Sequence, residues 1–208
     1  MKKDKIFKTI FGVLSAILLV SLVVKLIKVP GGMILSGLFL GGLELAGIVF
    51  VCLILSAILQ IVLKNTSFMT IMLITLTLSF VGMHYQLFSP TLVITVPNGY
   101  VGEIDLILSG ADENVLTVDS NGIGYLNNWT FHKTYLKPVV VQLDGTNVEK
   151  RLVGFNQSTF FGNVKSCCVN GKEIESLSFE IVSNDKIGQK QYKLKDLTVL
   201  VNKELLKY

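Results

Sequence analysis

Charge is what this 208-residue sequence has least of. Only 16% of its residues are Asp, Glu, Lys or Arg, against a typical quarter for a soluble domain. That shortage excludes a disordered chain and a nucleic-acid-binding one. Histidine is scarcer still, with two residues, His84 and His132, far apart in the chain. One histidine per domain gives no basis for a His-based triad or a zinc site. Three cysteines are present, with no CxxC and no Cys/His metal spacing. Cys52 sits in an apolar run, where cysteine behaves as a small hydrophobe. Cys167 and Cys168 are neighbours; the reading is one facing in and one out on a strand, without a bond between them, and the alternative is a pair that ligates a soft metal or traps an oxidant. No Asp-x-Asp calcium loop occurs. The sequence therefore points to no catalytic residues, no cofactor and no metal, and the expected class is non-enzymatic.

Half of the residues are hydrophobic and the mean hydropathy is +0.59. The distribution is uneven. Residues 1–90 hold seven Lys and only two acids, Asp4 and Glu44, for a net charge of +5. Residues 91–208 hold twelve Lys/Arg and thirteen acids, for −1. The basic character belongs to the apolar half, where it reads as a membrane-topology signal.

Three apolar stretches in residues 1–90 are long enough to cross a bilayer core, which takes about twenty helical residues. TM1 is expected at about 6–29, TM2 at about 33–63 and TM3 at about 68–88. Pro30-Gly31-Gly32 signals a turn after TM1, and Ser89-Pro90 ends TM3. TM2 would be about 46 Å long, more than the roughly 30 Å core. It is read as one long, bent helix, with a break at Gly41-Gly42 as the alternative. Lys2, Lys3, Lys5, Lys8 and Lys64 fall at one end of the spans, Lys25 and Lys28 near the other. The positive-inside rule then sets the N-terminus in the cytoplasm and residues 91–208 outside it. A TM2 that dips without crossing would reverse the second assignment.

After Pro90 the period changes to that of strands. Alternating runs stand at residues 91–96, 103–108, 115–118, 139–143, 177–182 and 197–201, with Asn-Gly and Asp-Gly turn signals between them. Short strands at this spacing predict an all-β sandwich over 91–208. The stretch Asn127–Lys137 reads as a loop, and Asp185–Lys195 as a solvated hairpin or loop. The fold class is thus a membrane α + β protein, a three-helix transmembrane domain (1–90) followed by a β-sandwich domain.

Glu44 is the most informative single residue, because a carboxylate deep in a span is costly unless paired, neutral or facing a cavity. Gly37, Gly41 and Cys52 share its helical face by spacing, and the glycines allow close helix packing. Glu44 is open to three readings: a proton or ion relay, an assembly contact, or a bundle residue bonded to Thr75 or Thr77. Lys25 is expected to reach the headgroups rather than Glu44. His84, Thr77 and Thr70 make a polar stripe on TM3 facing TM1 and TM2. Trp129, Phe131 and Tyr135 cluster as a recognition patch or as a plug at one end of the β domain.

Two stretches resemble known families. Lys25-Leu26-Ile27-Lys28-Val29-Pro30-Gly31-Gly32-Met33-Ile34-Leu35 resembles the membrane hairpin of the GldL-like gliding-motility and secretion proteins. Lys25 and Glu44 stand where that family carries a lysine and a glutamate. Lys28 and Val29 replace its usual histidine and aromatic, a third span follows, and a β domain stands where the motor protein has a coiled coil. The resemblance implies an ion-coupled motor or channel subunit as the alternative function. Val96-Pro97-Asn98-Gly99-Tyr100-Val101-Gly102-Glu103-Ile104, with Asn121-Gly122-Ile123-Gly124-Tyr125, resembles a transthyretin-like bacterial envelope β domain. That resemblance implies an envelope location and no activity. The leading expectation is an anchor or interaction protein of the bacterial inner membrane. Its partners would be the lipid bilayer and, through the helices, a second copy or another membrane protein; no nucleic acid is expected.

Overall fold

The computed structural model describes residues 2–28, 37–154, 160–169, 171–189 and 195–206. The chain divides into two units, Met1–Phe88 and Ser89–Tyr208. The predicted Pro30–Gly32 turn and the start of the second apolar run lie outside the described residues.

The first unit holds three helices: α1 (Lys2–Lys28), α2 (Gly37–Val62) and α3 (Phe68–Gln86). All are long and apolar enough to cross a membrane. α2 runs unbroken through Gly41 and Gly42. Ser67 starts α3, its hydroxyl accepting from the Thr70 N–H, the usual service of an N-cap serine to an orphan helix donor. α3 packs against both other helices. The shared core is narrow: Leu22 and Leu26 of α1, Leu45 and Cys52 of α2, and Leu76, Phe80 and Met83 of α3. At Gly41 α2 lies against Leu26 of α1 so closely that a Cβ there would overlap the Leu26 side chain.

The second unit is β-rich. Its elements are β1 (Val93–Val96), β2 (Gly102–Leu108), β3 (Ile123–Leu126), α4 (Asn128–Lys133), β4 (Val139–Gln142), β5 (Leu152–Val153), β6 (Gly162–Val169), β7 (Lys172–Ile181) and α5 (Leu197–Leu200). β1 and β4 form a parallel pair. The other five strands form a mixed sheet in the order β3-β2-β7-β5, with β6 also on β7. β2 is parallel to β3 and antiparallel to β7. Alternation sorts the side chains of β2 and β7. Ile104 and Leu106 of β2, with Leu177, Phe179 and Ile181 of β7, join Ile94 and Val96 of β1 and Val140 of β4 in one core. Ile107, Ile123, Tyr125 and Ile174 form a second cluster with Leu197 and Val201.

Several predicted elements differ. The unit is not all-β, because it carries α4 and α5. Residues 115–118 make only isolated bridges, Val115 to Tyr125 and Thr117 to Thr95, rather than a strand. Residues 197–200 are helical: Asp196 caps Thr198 N–H, and Leu197 and Val201 are buried while Val199 stays exposed. That is a four-residue period, where a strand would have buried all three alternating residues. The predicted loop after Leu126 contains α4, begun by Asn127, whose side chain accepts from Thr130 N–H at 2.8 Å.

The reading of Cys167 and Cys168 is also corrected. They are joined by a disulfide, and both are exposed. The β6–β7 register slips between Ser166 and Val169, so the pair occupies a bulge and escapes the in–out alternation.

Candidate functional sites

In the helical unit, hydroxyl groups on two faces of α3 fasten it to its neighbours. Toward α1, Thr77 meets Ser15 at 2.7 Å, Thr70 donates to Asp4 at 2.5 Å, and the His84 ring nitrogen lies 3.2 Å from the Leu18 carbonyl. The predicted stripe of Thr70, Thr77 and His84 therefore faces α1 and not α2. Thr75 and Ser79, turned to another face by the 100° helical step, meet Ser56 at 3.1 Å and Cys52 at 3.3 Å on α2. Asp4, which drew no attention in the sequence, also pairs with Lys8 at 3.1 Å. A lone acid among the lysines of residues 2–8 was the available signal.

Glu44 stands apart from these contacts. Gly41, Leu45, Cys52 and Ser56 form the buried stripe of α2, and Glu44 is exposed beside it. Three residues past Gly41 is 60° short of a full turn, enough to carry the carboxylate off the stripe. Thr75 and Thr77 are engaged elsewhere, and among the described residues no ion pair joins Glu44 to Lys25, which is half-buried. Gly37 is half-buried at the start of α2.

The aromatic trio does not form one patch. Phe131 is 3% exposed and belongs to the main core, Trp129 is 49% exposed, and Tyr135 is half-buried. Residues two apart on a helix point about 200° apart, so α4 cannot present Trp129 and Phe131 together.

The β unit holds a site that the sequence reading passed over. Glu103 and Asp105 alternate on one face of β2, and the register sets Glu180 opposite Glu103 and Ser178 opposite Asp105. All four are buried. Ser178 donates to Asp105 Oδ1 at 2.6 Å, while Oδ2 has no hydrogen bond and lies 3.5 Å from Lys195 Nζ. Lys195 also donates to the carbonyls of Glu103 and Asn121. Tyr100, Gly102, Glu103, Asn121, Glu180 and Lys195 line a cleft of about 450 Å³. Burial, with the Asp105 charge in support and Lys195 opposing, lifts Glu103 from an ordinary 4.5 to about 7. Burial likewise raises Tyr100, whose hydroxyl donates to the Glu103 carbonyl at 2.7 Å.

Lys195 clasps the segment before α5 to β2 and to the turn ahead of β3. That turn is built by Asp119, whose Oδ1 accepts from the N–H groups of Asn121 and Ile123, each at 2.9 Å. It requires glycine at 122, where φ is +78° and a Cβ would overlap Tyr100 Oη and the Glu103 carbonyl. The end of the predicted solvated loop is thus a half-buried cation over a carboxylate cluster. Glu-x-Asp on a strand was the legible half of this site; the partners on β7 and at Lys195 are too distant in sequence to be read. Among the described residues, no group of three His, Cys, Asp or Glu side chains is arranged to hold a metal ion.

No family model matches the chain, and no curated protein matches it. A solved structure described as a candidate lipoprotein from Bacillus anthracis is similar over 51% of this chain and 83% of its own, at 10% identity and a TM-score of 0.31. A score at that level establishes no shared fold.

Proposed function

We propose that the chain is a three-span protein of a bacterial inner membrane, serving as a non-enzymatic anchor that holds a β-sandwich interaction domain outside the cytoplasm. The observation that carries this reading is the outer surface of the helices. Ile10, Ile17 and Val20 of α1, Leu43, Phe50 and Val62 of α2, and Leu78 of α3 are all exposed. Each such side chain is worth about 1.5–3 kcal/mol when removed from water. A surface of this kind is at rest in lipid or against another apolar helix. The single core shared by β1, β4, β2 and β7 supports the sandwich, in keeping with the transthyretin-like resemblance.

The lysine asymmetry supports a cytoplasmic N-terminus. The Cys167–Cys168 disulfide supports an oxidising surrounding for the β unit, as found outside the cytoplasm. A phosphatase reporter fused after Tyr208 is therefore expected to be active only outside the cytoplasm. Activity confined to a cytoplasmic reporter at the same position would mean that α2 does not cross.

The GldL-like hairpin gives a second reading, an ion-coupled motor or channel subunit, and exposed Glu44 favours it. A carboxylate about 11 Å along α2 and turned away from the bundle calls for a polar partner on a second copy or another membrane protein. Glu44→Gln separates the two, because it keeps the shape and removes the titratable proton. An anchor with this change is expected to assemble and to complement a deletion in full. An assembled variant that has lost proton-motive-force-dependent function would establish the motor instead.

A further inference from the structure

We propose that Cys167 and Cys168 form a thiol–disulfide exchange site, opened and closed by a dithiol of the Cys-x-x-Cys type while the β unit stays folded. The position argues for exchange. A buried disulfide is shielded, because an attacking thiolate must reach a sulfur directly. Both cysteines here are exposed, on a strand whose only partner among the described residues is β7.

The ladder next to them already yields. Ser166 pairs with Ile174 and Val169 with Lys172, so the two cysteines together oppose Glu173 alone. The backbone at the bulge lies outside the regular ladder, so opening the S–S bond removes none of the register pairs on either side. The cysteines are absent from both apolar clusters of the unit. Lys165 offsets part of the negative charge that Glu173 and Glu175 place on this stretch of the ladder. The Glu173 carboxylate is 3.8 Å from Lys165 Nζ, which also binds Glu175 at 2.7 Å.

The chemistry balances with the dithiol as the reductant. One of its thiols, as the thiolate, attacks Sγ of either cysteine. The S–S bond breaks, a mixed disulfide forms, and the other cysteine leaves as a thiolate that takes up a proton. The second thiol of the reductant then attacks the mixed disulfide. The reductant departs as a disulfide, having given up two electrons and two protons, and the chain holds two thiols. The reverse sequence, with an oxidised dithiol, closes the pair.

The test uses the full-length chain. Free thiols are blocked with N-ethylmaleimide at cell lysis, and the protein is purified in mild detergent. It is then treated with dithiothreitol without denaturant, labelled with iodoacetamide and mapped by peptide mass. The expected result is no maleimide and two carbamidomethyl groups on the peptide carrying both cysteines, with an unchanged far-ultraviolet circular dichroism spectrum. Against glutathione buffers at fixed glutathione disulfide, the ratio of reduced to oxidised chain should rise with the square of the reduced glutathione concentration, as a closed intramolecular pair requires. Cys168→Ser should follow the first power, because one thiol forms only a mixed disulfide. Maleimide on both cysteines of every molecule at lysis overturns the proposal. So does reduction that occurs only in denaturant or that abolishes the folded spectrum, either of which makes the bond purely structural.

Discussion

Phe179→Ala is expected to destabilise the β-rich unit by about 3–5 kcal/mol, the range for removing a fully buried phenylalanine. Phe179 is 0% exposed, two residues before the end of β7, and its ring lies 5.7 Å from that of Phe160 and 5.8 Å from that of Phe161. The loss combines the transfer free energy of the ring with the cavity left among side chains that relax only in part. Whole domains are stable by about 5–15 kcal/mol, so this one change removes a large share. The single tryptophan, Trp129, lies in this unit and reports its unfolding alone. Urea titration of the detergent-solubilised chain, followed by Trp129 fluorescence, should show the midpoint falling sharply. Val199→Ala, at a site 79% exposed, should stay within about 0.5 kcal/mol of the parent. A loss below 1 kcal/mol for Phe179→Ala would mean that the shared core is not as packed.

The second large effect is expected at Gly41. A leucine there overlaps the Leu26 side chain and forces α1 and α2 apart. Overpacking costs about 1–3 kcal/mol in a filled core, and separating two helices that meet through a glycine also forfeits their close packing. Gly42 provides the control on the next residue, since a Cβ at that position meets nothing within 4 Å. The resistance of the helical unit to sodium dodecyl sulfate, followed by circular dichroism, should fall for Gly41→Leu and hold for Gly42→Leu. Equal behaviour of the two variants would disprove the contact between Gly41 and Leu26.

What the sequence revealed followed from one-dimensional regularities. Apolar run length marks three helices, and the change to a two-residue period after Pro90 marks the β-rich unit. Val93–Val96 and Gly102–Leu108 form strands because their alternation matches the sheet they join. Leu197–Val201 alternates equally well, yet Leu197–Leu200 is helical, because Asp196 caps it and the buried Leu197 and Val201 are four residues apart. A five-residue run carries too little period to separate the two outcomes. The acidic cleft was half legible. Glu103 and Asp105 are two apart on one strand, but Glu180 and Lys195 reach them only through pairings that no local pattern encodes. Glu44 shows the same limit in the helices. Spacing put it with Gly41, and the true contact stripe passes beside it through Leu45 and Cys52.

The place of β2 sets the order in which this chain can fold. One neighbour, β3, follows soon after it, and the other, β7, arrives only when the chain has passed Ser178, seventy-three residues beyond Asp105. Contacts this far apart in sequence raise the contact order and slow the search. As the chain emerges from synthesis, three apolar helices come first, and β2 then waits with one edge open and its Ile104 and Leu106 face uncovered. An open apolar edge is the form most prone to wrong pairing. The β-rich unit therefore cannot close stepwise behind the helices. It closes late, when Ile181 meets Gly102, and a chain cut short of that residue lacks the pairing that completes its central strand.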